Sequence, residues 1–69
     1  MAFEAGQRVR LNLAGMMFGD VAFGSAVTDA IGTVVRQTSA DPPRYLVKLL
    51  FAFKSLTQVE VPEDRVRAA

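Results

Sequence analysis

Seven carboxylates, eight Lys and Arg side chains and a scatter of hydroxyls are the groups from which chemistry would have to be built in these 69 residues, which contain no cysteine, histidine or tryptophan. Ser25, Ser39 and Ser55 have no histidine to activate them, and no thiolate exists to replace them as a nucleophile. Asp20 with Asp29, or Glu63 with Asp64, offers oxygen ligands to a hard cation, but neither pair belongs to a loop of regularly spaced ligands. Glu63 and Asp64 fit the first turn of a short helix better, where acidic groups favour the exposed N–H ends. The glycines at 15, 19 and 24 lack the strand-to-helix setting and the lysine of a phosphate loop, so they are expected in turns. No catalytic, metal or cofactor site is expected, and the chain is not expected to be an enzyme. Without cysteine there is also no disulfide framework, and the redox compartment is left unread.

The cations make a more coherent pattern. Arg8 and Arg10 project from one strand at period two, and Arg36, Arg44 and Lys48 extend the stripe across neighbouring strands, a candidate nucleic-acid-binding set. Two features weigh against it. The net charge is only +1, and Glu60, Glu63 and Asp64 stand near Arg65 and Arg67 in the sequence as surface pairs.

The elements that must carry these residues are short. Gln7 to Leu13 alternates polar and apolar, with Val9, Leu11 and Leu13 on one face and Arg8, Arg10 and Asn12 on the other, which predicts a half-buried strand after Gly6. The β-branched run 31–37 predicts a second strand, ended by a turn over 38–43 whose two prolines forbid helix. A third strand over 44–53 places Tyr45, Val47, Leu49, Phe51 and Phe53 on one face and Leu46, Lys48, Leu50 and Ala52 on the other. Lys54-Ser55 is a short turn, 56–61 a fourth strand, Pro62-Glu63-Asp64-Arg65 a single helical turn with proline at its start, and Val66-Arg67 a last short strand. Val9, Leu11, Val35, Val47, Leu49, Val59, Val61 and Val66 form the expected core.

This arrangement is all-β and fills 1–69 as a single domain. Gly6-Gln7-Arg8-Val9-Arg10-Leu11 followed by Ile31-Gly32-Thr33-Val34-Val35, with Tyr45-Leu46-Val47-Lys48 closing on Val61-Pro62-Glu63-Asp64-Arg65-Val66, resembles the blocks of small SH3-like or KOW-like domains. About half the chain is covered. The resemblance implies a five-stranded SH3-like barrel with a long first loop and one short 3-10 turn before the last strand. KOW-like domains often serve ribosomal or transcription complexes, which is a further reason to keep the nucleic-acid reading. A more distant similarity is to the plasmid-borne type II dihydrofolate reductases, through Gly6-Gln7-Arg8-Val9-Arg10 and Thr57-Gln58-Val59-Glu60. That resemblance implies a pore glutamine at Gln58 and a pore aliphatic at Val59. Glu60 replaces the family's tyrosine, however, and an acidic ring would repel both a nicotinamide cofactor's phosphates and a folate's carboxylate tail.

The segment 14–30 departs from these blocks. It carries Asp20 and Asp29 with no Lys or Arg, and its echo of Met17-Phe18-Gly19 in Ala22-Phe23-Gly24 suggests a hairpin or folded-over ribbon with an aromatic on each arm, while its Ala and Met content leaves a plain loop or a partly helical segment, with a helical turn over 25–30, as the alternatives. Phe18 or Phe23 can cap the core from there. With 51% hydrophobic residues in a chain too short to bury them all, apolar surface is expected to meet another molecule. Met16, Met17, Phe18, Val21 and Phe23 in the loop, with Leu46 and Leu50 on the outer face of the third strand, are the candidate interface. A homo-oligomer is expected, most simply a two-fold dimer, with another protein as the alternative partner. No run approaches the roughly 20 apolar residues of a membrane span, and the first residues lack a basic start and an apolar block. A cytoplasmic protein that makes no membrane contact is therefore expected.

Overall fold

A computed structural model describes residues 3–69. Seven strands alternate with turns: β1 (Arg8–Leu11), β2 (Met17–Phe18), β3 (Val21–Ala22), β4 (Ala30–Ala40), β5 (Pro43–Phe53), β6 (Leu56–Pro62) and β7 (Val66–Ala68), with a 3-10 turn over Glu63–Arg65. All five expected strands form, and among the described residues the 3-10 turn is the only helical element. The expected turn over 38–43 shrinks to Asp41 and Pro42, joined by a cis peptide bond, because β4 runs on to Ala40 and β5 starts at Pro43.

Five strands make one antiparallel sheet in the order β6-β5-β4-β1-β7. Its two edges are β6 and β7, yet only residues 63–65 join them. Laid flat, four interstrand intervals of about 4.8 Å hold those edges about 19 Å apart. The four Cα steps from Pro62 to Val66 reach at most about 14 Å. The sheet therefore curls, and side chains from β1, β4, β5, β6 and β7 meet in one cluster on its inner side.

Alternation fixes which side chains enter that cluster. Val9 and Leu11 of β1, Val34 of β4, Tyr45, Val47 and Leu49 of β5, Val59 and Val61 of β6 and Val66 of β7 are all buried. Val35 is not part of the core: it is 38% exposed while Val34 is 2% exposed. The β4–β5 ladder pairs Val34 with Val47 and then Arg36 with Leu46, so Val35 is the extra residue of a bulge. Burial of Tyr45 brings a hydroxyl inside, and it is satisfied. The hydroxyl donates to Glu63 Oε2 at 3.0 Å and accepts the Phe3 backbone N–H at 3.2 Å, while the Phe3 ring meets the Tyr45 ring edge-on at 5.5 Å.

The 14–30 segment is a folded-over ribbon. Its tip is the two-residue hairpin β2–β3, with Met17 opposite Ala22 and Phe18 opposite Val21, turned by Gly19 at φ 62° where a side chain would be strained. Backbone bonds from Leu13 N–H to the Val27 carbonyl (3.0 Å) and from Phe23 N–H to the Met16 carbonyl (2.9 Å) hold the ribbon down. Leu13, Val21 and Phe23 thereby complete the core, with Met16, Phe18 and Val27 packed against it.

Candidate functional site

The sequence places Phe51 and Phe53 on the inner face of β5, and the structure turns them out. The β5–β6 ladder pairs Lys48 with Gln58 and next pairs Phe53 with Leu56, so residues 49–52 of β5 stand against Thr57 alone. On the other side the β4–β5 ladder ends at Gly32 and Leu49. Residues 50–52 thus have no ladder partner, and the chain bulges where it is most apolar. Leu50 is 49% and Phe51 80% exposed, and Phe53 leaves the core for a stack on Phe23, with ring centroids 4.7 Å apart.

Beside this bulge runs an apolar groove of about 270 Å³, floored by Leu13, Val27, Ala30, Ile31 and Leu49 and walled by Phe23, Phe51 and Phe53. Asp29 is its one charged lining residue, and the Asp29 carboxylate is held by the Arg67 guanidinium. A T-shaped contact from Phe18 to Phe23 at 5.7 Å continues the aromatic row into the hairpin.

The expected interface residues are dispersed by this arrangement. Val21 and Phe23 are 6% and 5% exposed, so they serve the chain's own core and are not free anchors; Phe23 meets the groove only through its wall. Met16 and Phe18 are half-buried against the core. Met17 projects from the hairpin at 69% exposure, since its neighbours on either side take the inward positions. Leu46 is half-buried on the outer face between Arg36 and Glu60, and Leu50 sits on the bulge outside the groove lining.

The cationic candidates share one face. Arg8 and Arg10 alternate with buried Val9 and Leu11, Arg44 and Lys48 alternate with Tyr45 and Val47, and Arg36 lies opposite the outward Leu46. Arg44 Nε reaches Glu60 Oε2 at 3.7 Å. Arg65 and Arg67 do not pair with the acidic residues beside them in the sequence. Arg65 donates to the Asn12 and Ala14 carbonyls at 3.4 and 3.3 Å, and Arg67 takes Asp29.

Val59, the side chain that the reductase resemblance would place in a pore, is 2% exposed within the chain's own core, and Glu60 is engaged by Arg44. Among the described residues no group of three or more carboxylates is placed to hold a metal ion, and no helix is long and apolar enough to cross a membrane. Comparison with protein-family models, with curated proteins and with solved structures finds no match.

Proposed function

We propose that this chain is a non-catalytic binding module of SH3-like architecture that assembles with a second copy of itself through the bulge and groove at the end of β5. The strand order β6-β5-β4-β1-β7, with a 3-10 turn passing between the two edges, supports the architectural half of the reading. The interface half is carried by one observation. Phe51 is 80% exposed at the wall of an apolar groove that its own side chain does not fill.

A surface that holds both a projecting ring and a receiving groove meets the requirement of a two-fold contact, in which one patch must be complementary to itself. An unrelated partner would need only one of the two. The chain exposes 4351 Å², and a stable pair of standard size covers about 800 Å² on each partner, close to a fifth of that surface. Leu50, Phe51 and Phe53 supply the apolar centre of such an area, and the gain matters to a chain whose core is small.

The test is the solution mass of the wild type beside Phe51→Ser and Val35→Ser. Both substitutions remove an exposed apolar side chain, but Val35 does not line the groove. Removing a central aromatic anchor costs about 2 kcal/mol or more of association, roughly a 30-fold weaker pair. Phe51→Ser is expected to shift the protein to monomer while Val35→Ser keeps the parental mass. A wild type that stays monomeric at millimolar concentration, or equal masses for all three proteins, rules the reading out.

A further inference from the structure

We infer that the outer face of the curled sheet is a phosphate-contacting surface for single-stranded nucleic acid, distinct from the aromatic wall of the groove. The net charge of +1 conceals a segregation that only the strand assignments reveal. The strands of the five-stranded sheet carry six of the eight cations, Arg8, Arg10, Arg36, Arg44, Lys48 and Arg67, and one carboxylate, Glu60. All seven side chains belong to outward positions, because each alternates with, or lies opposite a residue that alternates with, a buried core residue. The sheet surface therefore has a balance of +5. The turns and loops hold Lys54 and Arg65 against the other six carboxylates, a balance of −4.

The ladders also order the cations. Arg8 faces Thr33, Thr33 faces Lys48 and Lys48 faces Gln58, one row across four strands in which cations alternate with hydrogen-bonding side chains. In a neighbouring row Arg10 stands directly opposite Arg67. Like charges placed opposite one another disfavour the sheet unless an anion lies between them. Asp29 serves Arg67, and no carboxylate among the described residues serves Arg10. Arg8, Arg36 and Lys48 likewise have no ion pair there, which leaves four cations for phosphates.

Thr33 and Gln58 interleave with the cations, which suits phosphate and sugar contact, while the most exposed apolar side chain, Phe51, lines the groove. The sheet curls around its core, so the outer face is convex. A flexible single strand can follow a convex surface that a straight duplex touches only along a line.

Binding of a fluorescent twenty-residue oligothymidylate, followed by anisotropy across a salt series, tests the inference. Four phosphate contacts predict a slope of log affinity against log salt of about −2.8, and each contact is worth about eightfold at 50 mM salt. Lys48→Glu is expected to weaken binding about eightfold or more. Lys54→Glu makes the same charge change in the β5–β6 turn and is expected to change binding less than twofold. If Lys48→Glu fails to fold by circular dichroism, Arg8→Glu makes the same test. Phe51→Ser, which breaks the groove contact, should leave the affinity per chain unchanged, so failure here is distinct from failure of the dimer. The inference is overturned by absence of wild-type binding at 50 mM salt, by equal losses at 48 and 54, or by tighter binding to anionic lipid vesicles than to the oligonucleotide.

Discussion

Gly32 is the position at which adding one carbon has the most sharply defined consequence. It is buried in β4 opposite Leu49, and a Cβ built there lies 2.6 Å from Val47 Cγ1 and 2.7 Å from the Lys48 carbonyl oxygen. Favourable carbon contacts lie at about 3.5–4.0 Å, so both neighbours must retreat by most of an ångström. Neither can do so freely. Val47 is fully buried, and the Lys48 oxygen is backbone within the ladder. Overpacking of this kind costs about 1–3 kcal/mol, and rigid neighbours place Gly32→Ala in the upper half of that range. Alanine offsets about 0.4–1 kcal/mol by restricting the unfolded chain. The net loss of about 1–2.6 kcal/mol lowers Tm by roughly 4–20 °C in a domain of this size. Gly24→Ala is the matched control. It has nothing within 4 Å and no positive φ, so the unfolded-state term acts alone and Tm should rise by roughly 2–8 °C. Thermal and urea unfolding by circular dichroism measure both. A Gly32→Ala protein as stable as the parent, or two substitutions with shifts of the same sign, would refute the packing of β4 on β5.

Three further outcomes follow from the same packing. Val34→Ala should cost about 2 kcal/mol from lost burial and the cavity left behind, whereas Val35→Ala should stay within about 0.5 kcal/mol; urea midpoints in the reverse order would contradict the bulge. Tyr45→Phe keeps the ring but removes the hydroxyl that joins Phe3 to Glu63, so chemical denaturation should show a loss of about 1–2 kcal/mol, and an unchanged midpoint would mean those bonds contribute nothing. Lys54 sits at φ 59° in the β5–β6 turn; Lys54→Gly should raise stability by about 0.5 kcal/mol as relief of left-handed strain outweighs glycine's entropy, while Lys54→Pro, whose ring cannot reach that φ, should lower it.

Much of the fold was legible because alternation and turn residues are local signals. Val9 and Leu11 against Arg8 and Arg10 identify β1 and its faces, and Pro62 ahead of two acidic residues marks the 3-10 turn. The echoed Phe-Gly pairs within 14–30 pointed to a hairpin but left a loop or a helical turn open, because Ala and Met suit a helix as well. What escaped was register. A two-residue Lys54-Ser55 turn pairs Phe53 with Leu56, an odd residue with an even one. Carried unbroken along β5, that register sets Tyr45 and Val47 against Asp64 and Pro62 and turns Val59 and Val61 outward, since a shift by one residue exchanges the faces of a strand. Keeping those valines inside requires an odd number of extra residues on one of the two strands, and the five consecutive apolar residues from Leu49 to Phe53 of β5 are where alternation has already lapsed. That parity is a sequence signal, and it would have predicted the bulge that exposes Phe51. The groove itself was not legible, because its floor joins Leu13, Val27 and Leu49 from segments that meet only when the sheet curls. The cationic face was legible in its members, since Arg8, Arg10, Arg36, Arg44 and Lys48 fall on one expected stripe, but net charge hid the segregation of carboxylates into turns.

The groove contact between copies is tested most directly by isotope-filtered NOE spectroscopy on a mixture of labelled and unlabelled protein, which reports only contacts made between different molecules. The Phe51 ring of one copy is expected to give cross-peaks to the methyls of Leu13, Val27 and Leu49 of another, and these should vanish in Phe51→Ser. A filtered spectrum empty at millimolar concentration, or one whose cross-peaks connect Val35 and Leu46 instead, would contradict it.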